Sequence, residues 1–217
     1  MARELHTCLI RYFARLKEMD SKWKELSQNA QEPLEAMIGL GEQFRVVACE
    51  EIEGTEDIVD EETRGRLIFQ ILMSLEDKMS LINNILTQFN YAKQDLKSYL
   101  VTLEDARSKV SLKDEAMQEL IKGTPCRPAL DRLLVWSMEG FQFYDNMYHR
   151  INECVQSIDY KSEETINDMI SSFKEDKRKR KNLNWLLAHT QFLIKESLPV
   201  TKEKKRLDES KLEKNRN

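Results

Sequence analysis

The sequence predicts an all-α protein: an elongated helical bundle of three long antiparallel helices plus shorter C-terminal helices, with coiled-coil-like packing. Three observations carry this. Six Gly and four Pro among 217 residues are far fewer than the tight turns of an all-β or α/β fold consume. Charged residues make up 33% and apolar ones 41%, enough for a long core under a charged exterior. Long segments also repeat their apolar residues every three or four positions, the period of one helix face packing knobs into holes.

In the first helix the repeat runs through Leu5, Leu9, Tyr12, Leu16, Met19, Trp23, Leu26, Ala30, Pro33, Met37, Leu40, Phe44 and Val47. Pro33 lacks an amide hydrogen and presses on the preceding turn, so a kink or break is expected near Glu32. Gly39 and Gly41 are expected to soften the helix beyond it. Residues 50–62 carry eight acidic side chains, no basic one, and Gly54. Like charges resist compaction, so this stretch reads as a solvated connector, or else as an acidic strip that docks a basic partner.

A second repeat, Ile68, Leu72, Leu75, Met79, Ile82, Leu86, Phe89, Lys93, Leu96, Leu100 and Leu103, predicts a helix over Glu61–Ser108, about 70 Å long at about 1.5 Å per residue. Lys93 interrupts it. Snorkelling of its ammonium to solvent is the favoured reading, with fixing of register against a neighbour the other. Residues 110–122 read as a frayed continuation. The linker at 123–128 holds Gly123, Pro125 and Pro128. Gly123 suits a left-handed C-terminal cap, and Pro128 suits the first turn of the next helix.

The third long helix has two stripes. One holds Leu130, Leu134, Ser137, Phe141, Tyr144, Tyr148, Ile151, Val155 and Ile158; beside it lie Leu133, Trp136, Gly140, Phe143, Met147 and Cys154. Contact from two sides is expected, either at the centre of the bundle or where another protein docks. Trp136, Phe143, Tyr144, Met147 and Tyr148 are the candidate partner-binding residues. Trp136 is the leading anchor, because Trp is enriched in binding hot spots; the two tyrosines suit a core as well as an interface.

Shorter helices follow over 163–173 and 183–198, the latter stopped by Pro199. Between them the basic segment 174–181, KEDKRKRK, reads as a hinge or surface loop, with nuclear import or an RNA contact as rivals. No aromatic interleaves it, which weighs against direct nucleic-acid binding. Residues 199–217 form a charged tail expected to be mobile, because it has too little apolar surface to offset its ordering entropy.

Several function classes are disfavoured. A net charge of −4 disfavours a general polyanion binder. The longest charge-free stretch, Met79–Ala92, is too short and too polar to span a membrane, and no secretory signal opens the chain. Cys8, Cys49, Cys126 and Cys154 are far apart and read as reduced, mostly buried thiols of a cytosolic or nuclear protein. His6, His149 and His189 stand at no metal-ligand spacing, and glycine-rich phosphate loops, GxSxG and HExxH are missing. Neither catalysis nor any cofactor or metal is expected. Trp23, Trp136 and Trp185 read chiefly as buried rings with the indole N–H on a carbonyl.

Four segments together carry a family resemblance: KWKELSQNAQEPLEAMIGLGEQF, GRLIFQILMSLEDKMSLINNIL, ALDRLLVWSMEGFQFYDNMYHRINECVQSI and NLNWLLAHTQFLIKESL. With Trp23 upstream of Pro33 and Leu34, LLxW at Leu133–Trp136, the Tyr144–Tyr148 pair and LLxxxxFLxxE from Leu186 to Glu196, the chain resembles the AIRIM family over roughly Leu5–Leu198. The resemblance implies a non-enzymatic helical adaptor in the cytoplasm and nucleus. Its implied partners are AAA ATPases of the valosin-containing-protein class and a small helical CINP-like protein; its implied tasks are maturation of the large ribosomal subunit and handling of replication proteins. A structural coiled-coil subunit of a tether, kinetochore or centrosomal assembly is the competing expectation, and a membrane-curving module lacks the basic face that anionic lipids require.

Overall fold

The computed structural model describes residues 2–49, 60–124 and 127–196. Most of the acidic connector, Pro125, Cys126 and the charged tail therefore lie outside the described residues.

The first predicted helix is two. Helix α1 spans Ala2–Asn29 and α2 spans Gln31–Ala48. The break falls at Ala30, three residues before Pro33, because the proline has no amide to offer the carbonyl four residues back, at Asn29. Ala30 stays in the helical region (φ −75°, ψ −18°), and the chain runs on without reversing. Helix α3 occupies Glu61–Ser108, the range the repeat predicted. Its cap is Asp60, whose carboxylate accepts the Thr63 amide at 2.6 Å. Asp60, Glu61 and Glu62, read from sequence as connector, thus open this helix, where negative charge suits the positive end of the dipole.

Helix α3 packs antiparallel to α1 and α2 together. Arg15 pairs with Asp95, Lys78 with Glu32 at 2.7 Å, and the Arg64 guanidinium donates to the carbonyls of Val47 and Cys49. One register therefore continues across the Ala30 break. Gly39 and Gly41 do not interrupt α2; a Cβ on Gly41 would meet Ile166 Cδ1 at 2.5 Å, so this glycine admits a neighbouring helix.

After Ser108 the chain leaves α3. In place of a frayed continuation it forms turns, a 3-10 turn at Glu115–Met117 and a short helix α4, Gln118–Lys122, with Val110, Met117 and Leu120 buried. Gly123 ends α4 at φ +73°, ψ −175°, an extended conformation of positive φ beyond the left-handed helical well, which only glycine enters readily. Thr124 and Arg127 then exchange backbone hydrogen bonds of 2.8 and 3.1 Å. Pro128 lies just before the next helix and not in its first turn: α5 begins at Leu130 and runs to Gln156.

Helix α6 (Glu163–Ser172) packs across α2 and α5, and α7 (Lys177–Glu196) against α1 and α5. The basic segment is no hinge along its whole length. Residues 174–176 form the link and Lys177–Lys181 open α7. Cations are unfavourable at a helix N-terminus; Asp176 offsets them by accepting the Arg178 and Lys179 amides at 2.8 and 3.1 Å. At one end of the rod α1, α3, α5 and α7 thus alternate up-down-up-down around a single core.

Candidate partner-binding site

The aromatic ridge of α5 faces inward. Trp136 is 6% exposed, with Trp185 of α7 edge-on at 5.0 Å, His189 at 6.0 Å and Arg132 above its ring at 5.9 Å. Phe143 is buried beneath the Arg180 guanidinium, 5.3 Å from its ring, and lines a cleft of about 260 Å³ between α5 and α7. Met147 is buried, and Tyr148 half-buried. The second stripe that the sequence offers to a partner is thus covered largely by the chain's own α7. Gly140 sits opposite Leu16, where a Cβ would come within 2.7 Å of Leu16 Cδ2, so α1 approaches α5 closely.

Tyr144 belongs to a buried polar centre. Its hydroxyl donates to Asp20 Oδ1 at 2.8 Å, and its ring lies 5.1 Å from Trp23. Asp20 also accepts from Lys24 at 2.6 Å and from Arg180, which grips Glu175 as well. Burial works to raise the Asp20 pKa, but the hydrogen bonds from Lys24, Arg180 and Tyr144 outweigh it and hold the carboxyl below its ordinary value. Burial, followed by the Asp20 charge, pushes the Tyr144 phenol far above its ordinary range. The centre therefore keeps a carboxylate, a guanidinium and a neutral phenol. It ties α1, α5 and α7 together through charge-assisted bonds.

Three further expectations change. Lys93 does not snorkel: it is buried, its ammonium 3.2 Å from Asp145 Oδ1 and 3.9 Å from the Tyr148 ring centre, so it sets the register of α3 against α5. Trp23 is stacked on Phe89 at 4.0 Å, yet its indole N–H finds no acceptor among the described residues. Cys8 and Cys154 are half-buried and Cys49 is exposed, all as free thiols, and none is fully buried. Burial, then Glu4, raises the Cys8 pKa. No group of three or more His, Cys, Asp or Glu among the described residues could hold a metal.

Exposed apolar side chains remain on α5 and α7, at Val135, Met138, Trp185 and Phe192, and a further group lies on an arm made of α2 and the first four turns of α3. Ile71 and Leu75 face inward there, whereas Ile68 and Leu72, which the repeat placed on the buried stripe, are only half-covered. Phe69 is 64% exposed and Met73, one turn on, 49%. Leu67, Ile38 and Val46 (60%) are also exposed. Heptad reasoning passes over Phe69 and Met73 because they lie off the stripe. The signal was the run Leu67–Met73, LIFQILM, apolar round almost the whole helix, a pattern that demands cover on every side.

Among the described residues no helix is long and apolar enough to cross a membrane. No curated protein matches the chain. A family model for ribosome biogenesis proteins of the C1orf109-like kind matches residues 3–190, from the start of α1 into α7. C1orf109 and AIRIM are one protein, so the chain belongs to the family that its sequence resembles, the C1orf109-like ribosome biogenesis proteins.

Proposed function

We propose that this protein is a non-enzymatic adaptor subunit of an AAA-ATPase complex of the valosin-containing-protein class, acting in maturation of the large ribosomal subunit in the cytoplasm and nucleus. Membership of a ribosome biogenesis family across residues 3–190 is the observation that carries the reading. The architecture supports it: a buried ionic centre ties α1, α5 and α7 into one body, and an exposed apolar arm offers a place to attach. The ATPase would supply force, and this chain position and choice of substrate. A CINP-like helical protein is the proposed companion, and turnover of replication proteins a second task of the same machine.

Affinity purification of the full chain from cells, read by mass spectrometry, tests this. Recovery of two related AAA ATPases with assembly factors of the large subunit is expected. A purification that returns neither, while the chain stays folded, rejects the adaptor reading. Accumulation of unreleased factors on pre-60S particles after depletion is the functional counterpart.

A further inference from the structure

We infer that the back of α3 on the arm, the Phe69–Met73 ridge with its surrounding carboxylates, docks a basic amphipathic helix of another protein. Phe69 and Met73 stand four residues apart and so share one helix face. Glu62 and Arg66, paired to each other, precede them, and Glu76 and Asp77 follow. Half-covered Leu72 flanks the ridge. At the foot of the ridge the Tyr160 hydroxyl donates to Glu76 at 3.0 Å. An apolar ridge of this kind fits the i, i+3, i+4 anchors of a helix laid along it.

Charge selects the occupant. Among the described residues from Glu35 to Asp77 there are seven carboxylates and three arginines, a net of −4. All three arginines are engaged: Arg45 with Glu163, Arg64 with Glu61 and two carbonyls, Arg66 with Glu62. The described charge around the ridge is net negative, with Glu76 and Asp77 at its foot, and favours lysines and arginines flanking an apolar stripe. A second copy docked arm to arm would bring like charge and be repelled, and sedimentation tests for any other self-association. The chain's own 50–59 segment is acidic as well. Helix α7 ends at Glu196 in the four-helix half, past Trp185 and Trp136 and most of the length of α3 from the arm, a span that the 21 residues after it could bridge only in a largely extended form.

The inference rests on the arm's own chemistry and not on the ATPase reading, and its test contains no ATPase. The probe is a fluorescent 18-residue amphipathic peptide with a leucine stripe flanked by lysines, against the same pattern with glutamates, titrated into the full chain. The lysine peptide is expected to bind at least tenfold more tightly than the glutamate one, and more weakly as salt rises. The double variant Phe69→Ser/Met73→Ser loses at least tenfold, with a nearly unchanged melting curve because Phe69 lies mostly, and Met73 half, in solvent. Glu62→Lys/Asp77→Lys loses a similar factor with the ridge intact, whereas Val101→Ser, exposed on α3 in the other half of the rod, binds as wild type. Equal binding of the two peptides, or retained binding by both double variants, overturns the inference. So does a concentration-dependent dimer in sedimentation that Phe69→Ser/Met73→Ser abolishes, since the ridge would then belong to a second copy.

Discussion

The two ends of this rod obey the same heptad rule and use it differently. In the four-helix half, α1, α3, α5 and α7 close on each other and cover the second stripe of α5, Trp136 by Trp185 and Phe143 by Arg180, while Val135, Met138, Trp185 and Phe192 stay about half exposed on the outer side. In the arm, α2 covers one side of α3 and leaves Phe69 and Met73 in solvent. The difference teaches that surplus apolar surface cannot be counted per helix. A doubly striped helix is satisfied once a fourth helix arrives, whereas a helix apolar all round remains exposed when its neighbours cover only one side.

The contrast breaks most visibly at the core. Trp23→Ala removes a ring stacked on Phe89 and is expected to cost about 3–5 kcal/mol, whereas Phe69→Ala in the arm should cost less than about 1 kcal/mol; urea denaturation followed by circular dichroism compares them. Equal losses would mean that the arm is a core. Next comes the ionic centre. Asp20→Ala leaves the Arg180 charge buried with Glu175 as its remaining acidic partner, and is expected to cost about 3 kcal/mol.

The same carboxylate predicts a pH dependence. Its native pKa lies below the ordinary value of 3.8. Its contribution is therefore complete above that value and is lost as pH falls toward the native one. Asp20→Asn should accordingly flatten the acid limb of a stability-against-pH curve; an unchanged limb would show that other carboxylates govern it.

Gly123→Ala, forced to φ +73° with a Cβ 2.7 Å from the Arg127 carbonyl oxygen, should cost about 1–3 kcal/mol and lower the melting temperature. The smallest effect separates the halves again. Gly39 and Gly65, both in the arm, have open space where a Cβ would sit, whereas Gly140 in the four-helix half meets Leu16. Gly39→Ala and Gly65→Ala should each stabilise by about 0.5–1 kcal/mol through helix propensity. Gly140→Ala should gain nothing, because Leu16 would have to move.

Helix α3 shows how much was legible. Its limits follow from the heptad run and from the acidic start that suits an N-terminus. The break between α1 and α2 was readable to within a few residues because proline acts locally on an amide. Lys93 was not readable. Snorkelling and pairing begin from the same residue on the same stripe, and only Asp145 and Tyr148 on another helix decide between them. The basic run misled for a like reason: its charge density argues for a loop, but Asp176 caps it and Arg180 turns inward to Asp20.

The candidate ridge on α5 was recognised as doubly contacted, yet its contacting partner was not. That partner is α7, whose place between α1 and α5 no periodicity specifies.

By itself the sequence determined the helical class, the limits of α3, the interruptions near Pro33 and at Gly123, and the family. Each is set by local stereochemistry or by a pattern continuous along the chain. Only the tertiary structure decided which apolar faces meet each other and which stay open. Burial is a property of pairs of surfaces distant in sequence, and a stripe carries no record of whether its complement lies within the same chain.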